Sequence, residues 1–441
     1  MASSTSLNGA GSDRRMDGAS SLSSKIAAEL QSSKTSGVWT ELLKLARAPG
    51  IANLGQGYPD YPGSSAARES AAKVMTDPDK AALNQYSMPA GLGELKDAVC
   101  AYYNRCYGLS GAQKLDTSNV VITSGATEGL YNSLDCLAGP GDEVIIFEPA
   151  FPWYMPIVRC IGATPVVLEL KGPAFAPDLE AVEKAVTPRT KVMLLNTPHN
   201  PCGHCYSQEA SAEQWCCCEL EGLADIARRH NLKVVSDEVY ENATFKGVCH
   251  RRIADIPGMF ERTVTLCSAS KLFSLTGWRV GWALGPADVV KGLSLAHSFT
   301  SYCAPTPLQQ GLADALGVED GTFEGIPANI ESNADMLGPA LREKGLLVSQ
   351  PMGGHFLVAD TTPLGMTGLE AAKAFLTKAK VACIPGMIFY DGAGDDKSQD
   401  PPLLRFALCK KRETMEEAVR RIEAMSVDDL RLAATAQDEA P

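Results

Sequence analysis

The sequence predicts an α/β fold with a large domain on a mostly parallel sheet, followed by a smaller α+β domain. Three observations carry this. Between Val120 and Leu284, short apolar runs rich in β-branched residues alternate with helical stretches. The residues suited to chemistry, Gly125, Phe151, Asn200, Asp237 and Lys271, each follow the carboxyl end of such a run. Open parallel sheets bind ligands at those ends. Past Leu316 the pattern changes: longer amphipathic stretches (330–344, 369–380, 413–424) surround shorter expected strands (356–359, 404–408).

Taken in order, residues 1–25 are rich in Ser, Ala and Gly and read as a disordered tail. They lack the apolar core of a secretory signal. Arg14 and Arg15 among serines leave an organelle transit peptide open, and Asp13 and Asp17 count against it. Residues 26–52 form an N-terminal segment expected to pack with the smaller domain, with Trp39, Leu42, Leu43 and Leu45 on one helical face. Residues 53–317 are assigned to the large domain and 318–430 to the smaller one. The stretch Asn53–Pro62 (NLGQGYPDYP) is loop chemistry, and Gly55 and Gly57 would let backbone come close to another group. A second loop, Asn84-Gln85-Tyr86 with Pro89-Ala90-Gly91, precedes a helix over 92–103.

Strands are expected over 120–123, 143–147, 164–168, 191–195, 232–236, 263–266 and 280–284. Helices are expected between them, one opening at Ser124–Gly129 and one over 220–230. The loop Asn196–Gly203 (NTPHNPCG) and the turn Asp237-Glu238-Val239-Tyr240 close two of the strands.

The totals exclude several functions. The chain has 441 residues and a net charge of −12, with a pI near 5.1. That balance argues against nucleic acid and against an anionic membrane surface as partners. No apolar run reaches the length of a membrane span. Cys216-Cys217-Cys218 suits no disulfide framework, so the 14 cysteines are expected to be reduced, in the cytoplasm. Cys202-Gly203-His204-Cys205 has the two-residue spacing of half a zinc site, but no second pair matches it and no metal is assigned. Gly55-Gln56-Gly57 lacks the strand–turn–helix frame and third glycine of a dinucleotide site.

The chemistry centres on Ser268–Trp282 (SASKLFSLTGWRVGW). A lysine at the end of a buried strand is costly to keep charged. It is useful if it loses its proton and holds a carbonyl cofactor as a Schiff base. Pyridoxal 5′-phosphate (PLP) would need five kinds of help, and the chain offers each. Lys271 would form the Schiff base. Asp237 would keep the pyridine nitrogen protonated. Asn200 and Tyr240 would hold the phenolic oxygen, and Phe151 would stack on the ring. The N–H groups of Gly125-Ala126-Thr127 at a helix start, with Ser268, Ser270 and Arg279, would cradle the phosphate. Singly, each has a plainer reading: Asp237 as a helix cap, Phe151 as core, Asn200-Pro201 as a turn, Arg279 as a surface ion pair. Their order along the chain, each at a strand end, favours the joint reading.

On these motifs, with Leu404–Lys410 (LRFALCK), the chain resembles the fold-type-I, PLP-dependent aminotransferases. Within them it is similar to the kynurenine–oxoglutarate aminotransferase group, also known as glutamine transaminase K or cysteine-S-conjugate β-lyase. The resemblance covers roughly residues 35–425. It implies a seven-stranded sheet in the large domain. It implies that Lys271 shuttles the proton between Cα and C4′, with Asp237 and Tyr240 completing the catalytic set. It implies that Arg405 grips the substrate carboxylate as a bidentate fork, that Gly57 admits the substrate, and that Trp39 walls the side-chain pocket. It implies a homodimer with shared sites, in which Tyr86 reaches the neighbour's phosphate and Tyr302 lines the neighbour's pocket.

Some positions depart from the pattern. Arg279 stands where lysine is frequent, and His199 where Asn is frequent. His204 replaces a commonly basic residue, Cys303 a histidine of some relatives, and His355 an aromatic. The expected reaction is transfer of the amino group of an aromatic, sulfur-containing or other neutral L-amino acid to a 2-oxo acid. β-Elimination from a cysteine S-conjugate is the alternative, and a PLP-binding regulator a remoter one.

Overall fold

The computed structural model describes Ser23 and residues 44–206, 208–209, 215–318, 325–391 and 400–435. Trp39, the Cys216–Cys218 side chains and most of the N-terminal stretch lie outside the described residues.

Seven strands form the central sheet: β1 (Val120–Thr123), β2 (Glu143–Glu148), β3 (Thr164–Glu169), β4 (Thr190–Asn196), β5 (Lys233–Asp237), β6 (Thr263–Ser268) and β7 (Gly281–Leu284). Their spatial order is β1-β7-β6-β5-β4-β2-β3. β7 runs antiparallel to both its neighbours, and the other pairings are parallel. Each expected strand is present, with ends moved by one or two residues.

The alternation of side chains explains why these runs are apolar throughout. Val144 and Ile146 pack with Leu130, Leu134, Val290 and Leu293 on one face. Ile145 and Phe147 pack with Leu223 and Ala227 on the other. At the far end, Ile122 and Trp282 pack with Leu95, Val99 and Leu312. A strand covered on both faces cannot alternate polar with apolar. It therefore reads in the sequence as a continuous hydrophobic run.

The second sheet has strands β8 (Leu347–Val348), β9 (Phe356–Asp360), β10 (Ile384–Pro385) and β11 (Leu403–Ala407), in the order β8-β9-β11-β10, all antiparallel. Helices Gly325–Glu343 and Arg412–Ala424 share its core through Ile330, Leu337, Met415 and Ile422. The chain enters beside this unit. Ala52 and Asn53 pair in parallel with Val381 and Ala382, and Ala407 N–H donates to Leu54 C=O at 2.6 Å. That strap fixes where Gly55–Gly57 leaves for the central sheet. Among the described residues, no helix is long and apolar enough to cross a membrane.

Candidate active site

Beyond the carboxyl ends of the central strands lies a cavity of about 200 Å³, lined by Thr127, Phe151, Asn200, Asp237, Lys271 and Arg279 among others. Ala126, Tyr240, Ser268 and Ser270 also reach it. Gly125 caps the helix Ala126–Leu137 at its mouth. The fold thus gathers residues from five strand ends.

Lys271 sits on the single turn Ala269–Leu272 that follows β6. Its Nζ donates to Gly57 C=O at 3.1 Å and lies 5.7 Å from the Tyr240 ring centroid. Burial pushes its pKa down, and the Arg405 and Arg279 charges push the same way against Asp237. A lysine that sheds its proton easily is the nucleophile a carbonyl needs. Gly57 is required for this contact. A Cβ there would stand 2.4 Å from the Phe356 ring.

Asp237, the last residue of β5, is buried. Its Oδ2 accepts from the Tyr154 hydroxyl at 2.6 Å. Burial raises its pKa to about 6 despite the Tyr154 hydrogen bond, which works in the opposite direction. Asn196 ties two loops together: its Nδ2 donates to Asp237 C=O at 2.8 Å, and its Oδ1 accepts from Asn200 N–H at 2.7 Å. Behind this turn, Glu238 accepts from Ser236 and meets His250 Nε2 at 2.8 Å. Glu241 accepts from the Tyr103 and Tyr107 hydroxyls. These bonds anchor the turn that carries Asp237 and Tyr240.

The expected phosphate cradle is shaped by two glycines. Gly125 has φ +87°, and a Cβ there would meet the Arg279 guanidinium at 2.5 Å. Gly281 lies beneath, where a Cβ would stand 2.8 Å from Cys267 O and 2.9 Å from Ala126 N. Arg279 itself is left-handed at φ 54°, which turns the chain back into β7. Ser270 Oγ is buried with no hydrogen-bond partner among the described residues.

Arg405, on β11, comes from the second sheet and meets Asn200, which lines the cavity. It is 5% exposed. Nη1 donates to Asn200 Oδ1 at 3.0 Å and Nη2 to Gly55 C=O at 2.9 Å. Its Nε has no partner among the described residues. Phe356 and Phe389 lie 4.0 and 4.9 Å from Cζ, measured to their ring centroids. Burial lowers its pKa to about 10, so it remains a cation at neutral pH. A buried guanidinium with an unused donor is costly without an anion.

One chain does not bring every expected residue into the cavity. Tyr86 and Tyr302 are exposed and meet each other edge to face, with centroids 5.3 Å apart. His355 is buried, 4.8 Å from the Tyr240 ring. Burial, with the Lys271 and Lys410 charges, holds its pKa well below the usual value. His199 is pushed down to about 3, chiefly by burial. Its loop is closed by His199 N–H donating to His204 C=O at 2.8 Å. The His204 ring turns away to Glu219 at 3.0 Å.

Sequence reading passed over Tyr154 and the linking role of Asn196. Tyr154 stands three residues after Phe151, on the helix Tyr154–Cys160 that begins beyond β2. A tyrosine at a strand-end helix start was the available signal. Its partner is 83 positions away, which spacing alone does not reveal.

The residues fit the group that the resemblance implies. A buried carboxylate, a deprotonation-prone lysine, an unpartnered serine hydroxyl and a glycine-lined helix start face one cavity. Comparison with known proteins identifies the family. Residues 49–422 match the family described as aminotransferase class I and II. The chain is 36% identical over 396 residues to a probable N-succinyldiaminopimelate aminotransferase of Mycobacterium tuberculosis, covering 88% of this chain and 96% of the relative. It is 34% identical over 421 residues to kynurenine–oxoglutarate transaminase 3 of Homo sapiens, covering 89% and 88%. Among solved structures it is similar to the N-succinyldiaminopimelate aminotransferase of M. tuberculosis (TM-score 0.80, 35% identity, 91% of this chain and 99% of that one). It is also similar to YbdL of Escherichia coli, described with a methionine aminotransferase function (TM-score 0.79, 29% identity, 88% and 97%). The chain is an enzyme of the class I and II aminotransferase family.

Proposed function

We propose that this aminotransferase takes its amino group from a neutral L-amino acid of the aromatic or sulfur-containing class (kynurenine, glutamine, Phe, Tyr, Trp or Met) and gives it to a 2-oxo acid. The turnover is ping-pong and uses pyridoxal 5′-phosphate. One observation carries the substrate class. Arg405 keeps an Nε without a partner among the described residues, beside two aromatic rings, which suits an α-carboxylate, while the cations lining the cavity are Lys271 and Arg279, both of which the cofactor would occupy. Among the described residues, no further cation lines that cavity to meet a side-chain carboxylate. Lys410, the nearby candidate, is committed to Tyr58 C=O at 2.8 Å.

When bound, pyridoxal phosphate supplies an electron sink for the pair left as the Cα–H bond breaks. The chain does the rest. Lys271 Nζ takes the Cα proton and later returns it on the cofactor side. Asp237, held by Tyr154, offers a negative charge to the pyridine nitrogen. Asn200 and Tyr240 hold the phenolic oxygen, and Phe151 covers a ring face. N–H groups of Gly125, Ala126 and Thr127, with Ser268, Ser270 and Arg279, take the phosphate. Arg405 orients the substrate, and Gly57 leaves it room.

A second copy completes the site in this reading. Tyr86, Met88, Phe299 and Tyr302 are 82, 73, 78 and 49% exposed. An apolar group of this kind supports association, with Tyr86 and Tyr302 serving the neighbour. The assembly is assigned to the cytoplasm.

The test is a coupled assay on the purified protein with kynurenine, glutamine, Phe, Tyr, Trp, Met, aspartate and N-succinyldiaminopimelate, each with two 2-oxo acids. The neutral donors should show the highest kcat/KM. A preference for aspartate or N-succinyldiaminopimelate overturns the substrate class. Pyruvate released from a cysteine S-conjugate faster than amino transfer makes β-elimination the main reaction. No turnover, with the Lys271-bound cofactor still absorbing, leaves the regulator.

A further inference from the structure

Glu128 is in the first turn of the helix Ala126–Leu137, whose start faces the cavity. A carboxylate suits a helix N-terminus, but this one stands beside the turn assigned to a phosphate, where like charges repel. Its bonds explain it. Oε2 accepts the backbone N–H of Ser124 at 3.0 Å. Oε1 accepts from His297 Nδ1 at 2.7 Å and from Thr300 Oγ1 at 2.8 Å, and Asn132 donates to it as well. By taking Ser124 N–H, Glu128 fixes the direction in which the turn Ser124–Thr127 leaves β1. Ala126 and Thr127, which follow, line the cavity.

His297 is fully buried near the end of the helix Ala287–Thr300. Its partner is a carboxylate oxygen, so Nδ1 carries the hydrogen, and Nε2 has no partner among the described residues. Nδ1 is also 3.1 Å from Ser301 Oγ, which lies 3.1 Å from Ser124 Oγ. His297 C=O accepts from Ser301 and Tyr302 N–H at 3.0 and 2.9 Å. One buried imidazole therefore bonds both to the carboxylate that directs the turn and to the segment carrying Tyr302.

We propose that His297 is a positioning residue for the phosphate end of the cofactor site, holding Glu128 against Ser124 N–H so that the turn Ser124–Thr127 is set before the phosphate arrives. This rests on the reading of that turn as the phosphate cradle. His297 touches neither cofactor nor substrate. It acts through Glu128.

The experiment compares equilibrium binding of pyridoxal phosphate and of pyridoxal to the cofactor-free full chain. Pyridoxal can react with Lys271 but has no phosphate, so the ratio of the two affinities isolates the cradle. In His297→Phe the affinity for pyridoxal phosphate should fall roughly 10-fold, the loss expected for one hydrogen bond to a charged group. Affinity for pyridoxal should stay within about 2-fold, given that surrounding contacts are unchanged. His297→Asn, whose amide N–H can stand in for Nδ1–H, should restore most of the ratio. If His297→Phe does not fold, Glu128→Gln takes its place, because an amide cannot accept from all these donors; it too should lower the ratio. Equal losses for both ligands, or an unchanged ratio, overturn the proposal. If the native protein itself does not prefer pyridoxal phosphate, the cradle assignment falls first.

Discussion

The Tyr154 hydroxyl donates to Asp237 Oδ2 at 2.6 Å, joining the helix that follows β2 to the last residue of β5. Burial holds the Asp237 carboxyl at about 6, so at neutral pH it is ionised with little to spare. Cofactor-free protein should therefore bind pyridoxal phosphate more weakly as pH falls below about 6. Tyr154→Phe removes a bond that favours the anion and should move that midpoint upward. A spectroscopic titration of cofactor binding against pH checks both, and an unmoved midpoint in the variant would count against the pairing.

The same shift bears on stability. A carboxyl raised from 3.8 to about 6 by folding penalises the folded state, fully above pH 6 and not at all below its unfolded value. Cofactor-free Asp237→Asn should therefore melt higher than the native protein at pH 7–8, with a gain in unfolding free energy on the order of 3 kcal/mol. The gap should close toward pH 4. Thermal unfolding across that range tests it, and the variant should be inactive throughout.

Arg405 uses two nitrogens to hold Asn200 and Gly55 and leaves Nε free. Arg405→Lys cannot reproduce that fork. Steady-state kinetics should show KM raised roughly 10- to 100-fold for amino and oxo acids alike, the range for lost charged hydrogen bonds. A change confined to one substrate would mean that Arg405 grips a side chain instead.

Gly57→Ala places a methyl 2.4 Å from the Phe356 ring. The ring is buried in the second core, so the Gly57 backbone must yield. Unfolding should become easier by roughly 1–3 kcal/mol. Lys271 should lose the carbonyl that directs it, lowering kcat. A melting curve and kcat together check this.

Phe299 is among the most exposed apolar side chains described. Phe299→Asp should weaken the proposed dimer at least roughly 10-fold, as charges do when forced into an apolar contact. Sedimentation over a concentration series measures it, and a native protein that is monomeric throughout would remove the shared site.

The sequence by itself determined the central sheet and the sites that hang from it. β2, β4 and β5 are covered on both faces, so their residues had to be continuously apolar. Gly125, Asn200, Asp237 and Lys271 were legible because each lies within a few residues of such a run. The tertiary structure alone decided which distant groups meet. Tyr154 finds Asp237, Asn196 joins two loops, and Arg405 arrives from β11 to bond Asn200, 205 positions earlier. The reason for Gly281 is likewise a packing fact, the approach of Ala126 N from another strand end. Local periodicity reports whether a side chain faces core or solvent. It carries no record of which neighbour waits there, because that is fixed only when the sheet order β1-β7-β6-β5-β4-β2-β3 brings the strand ends together.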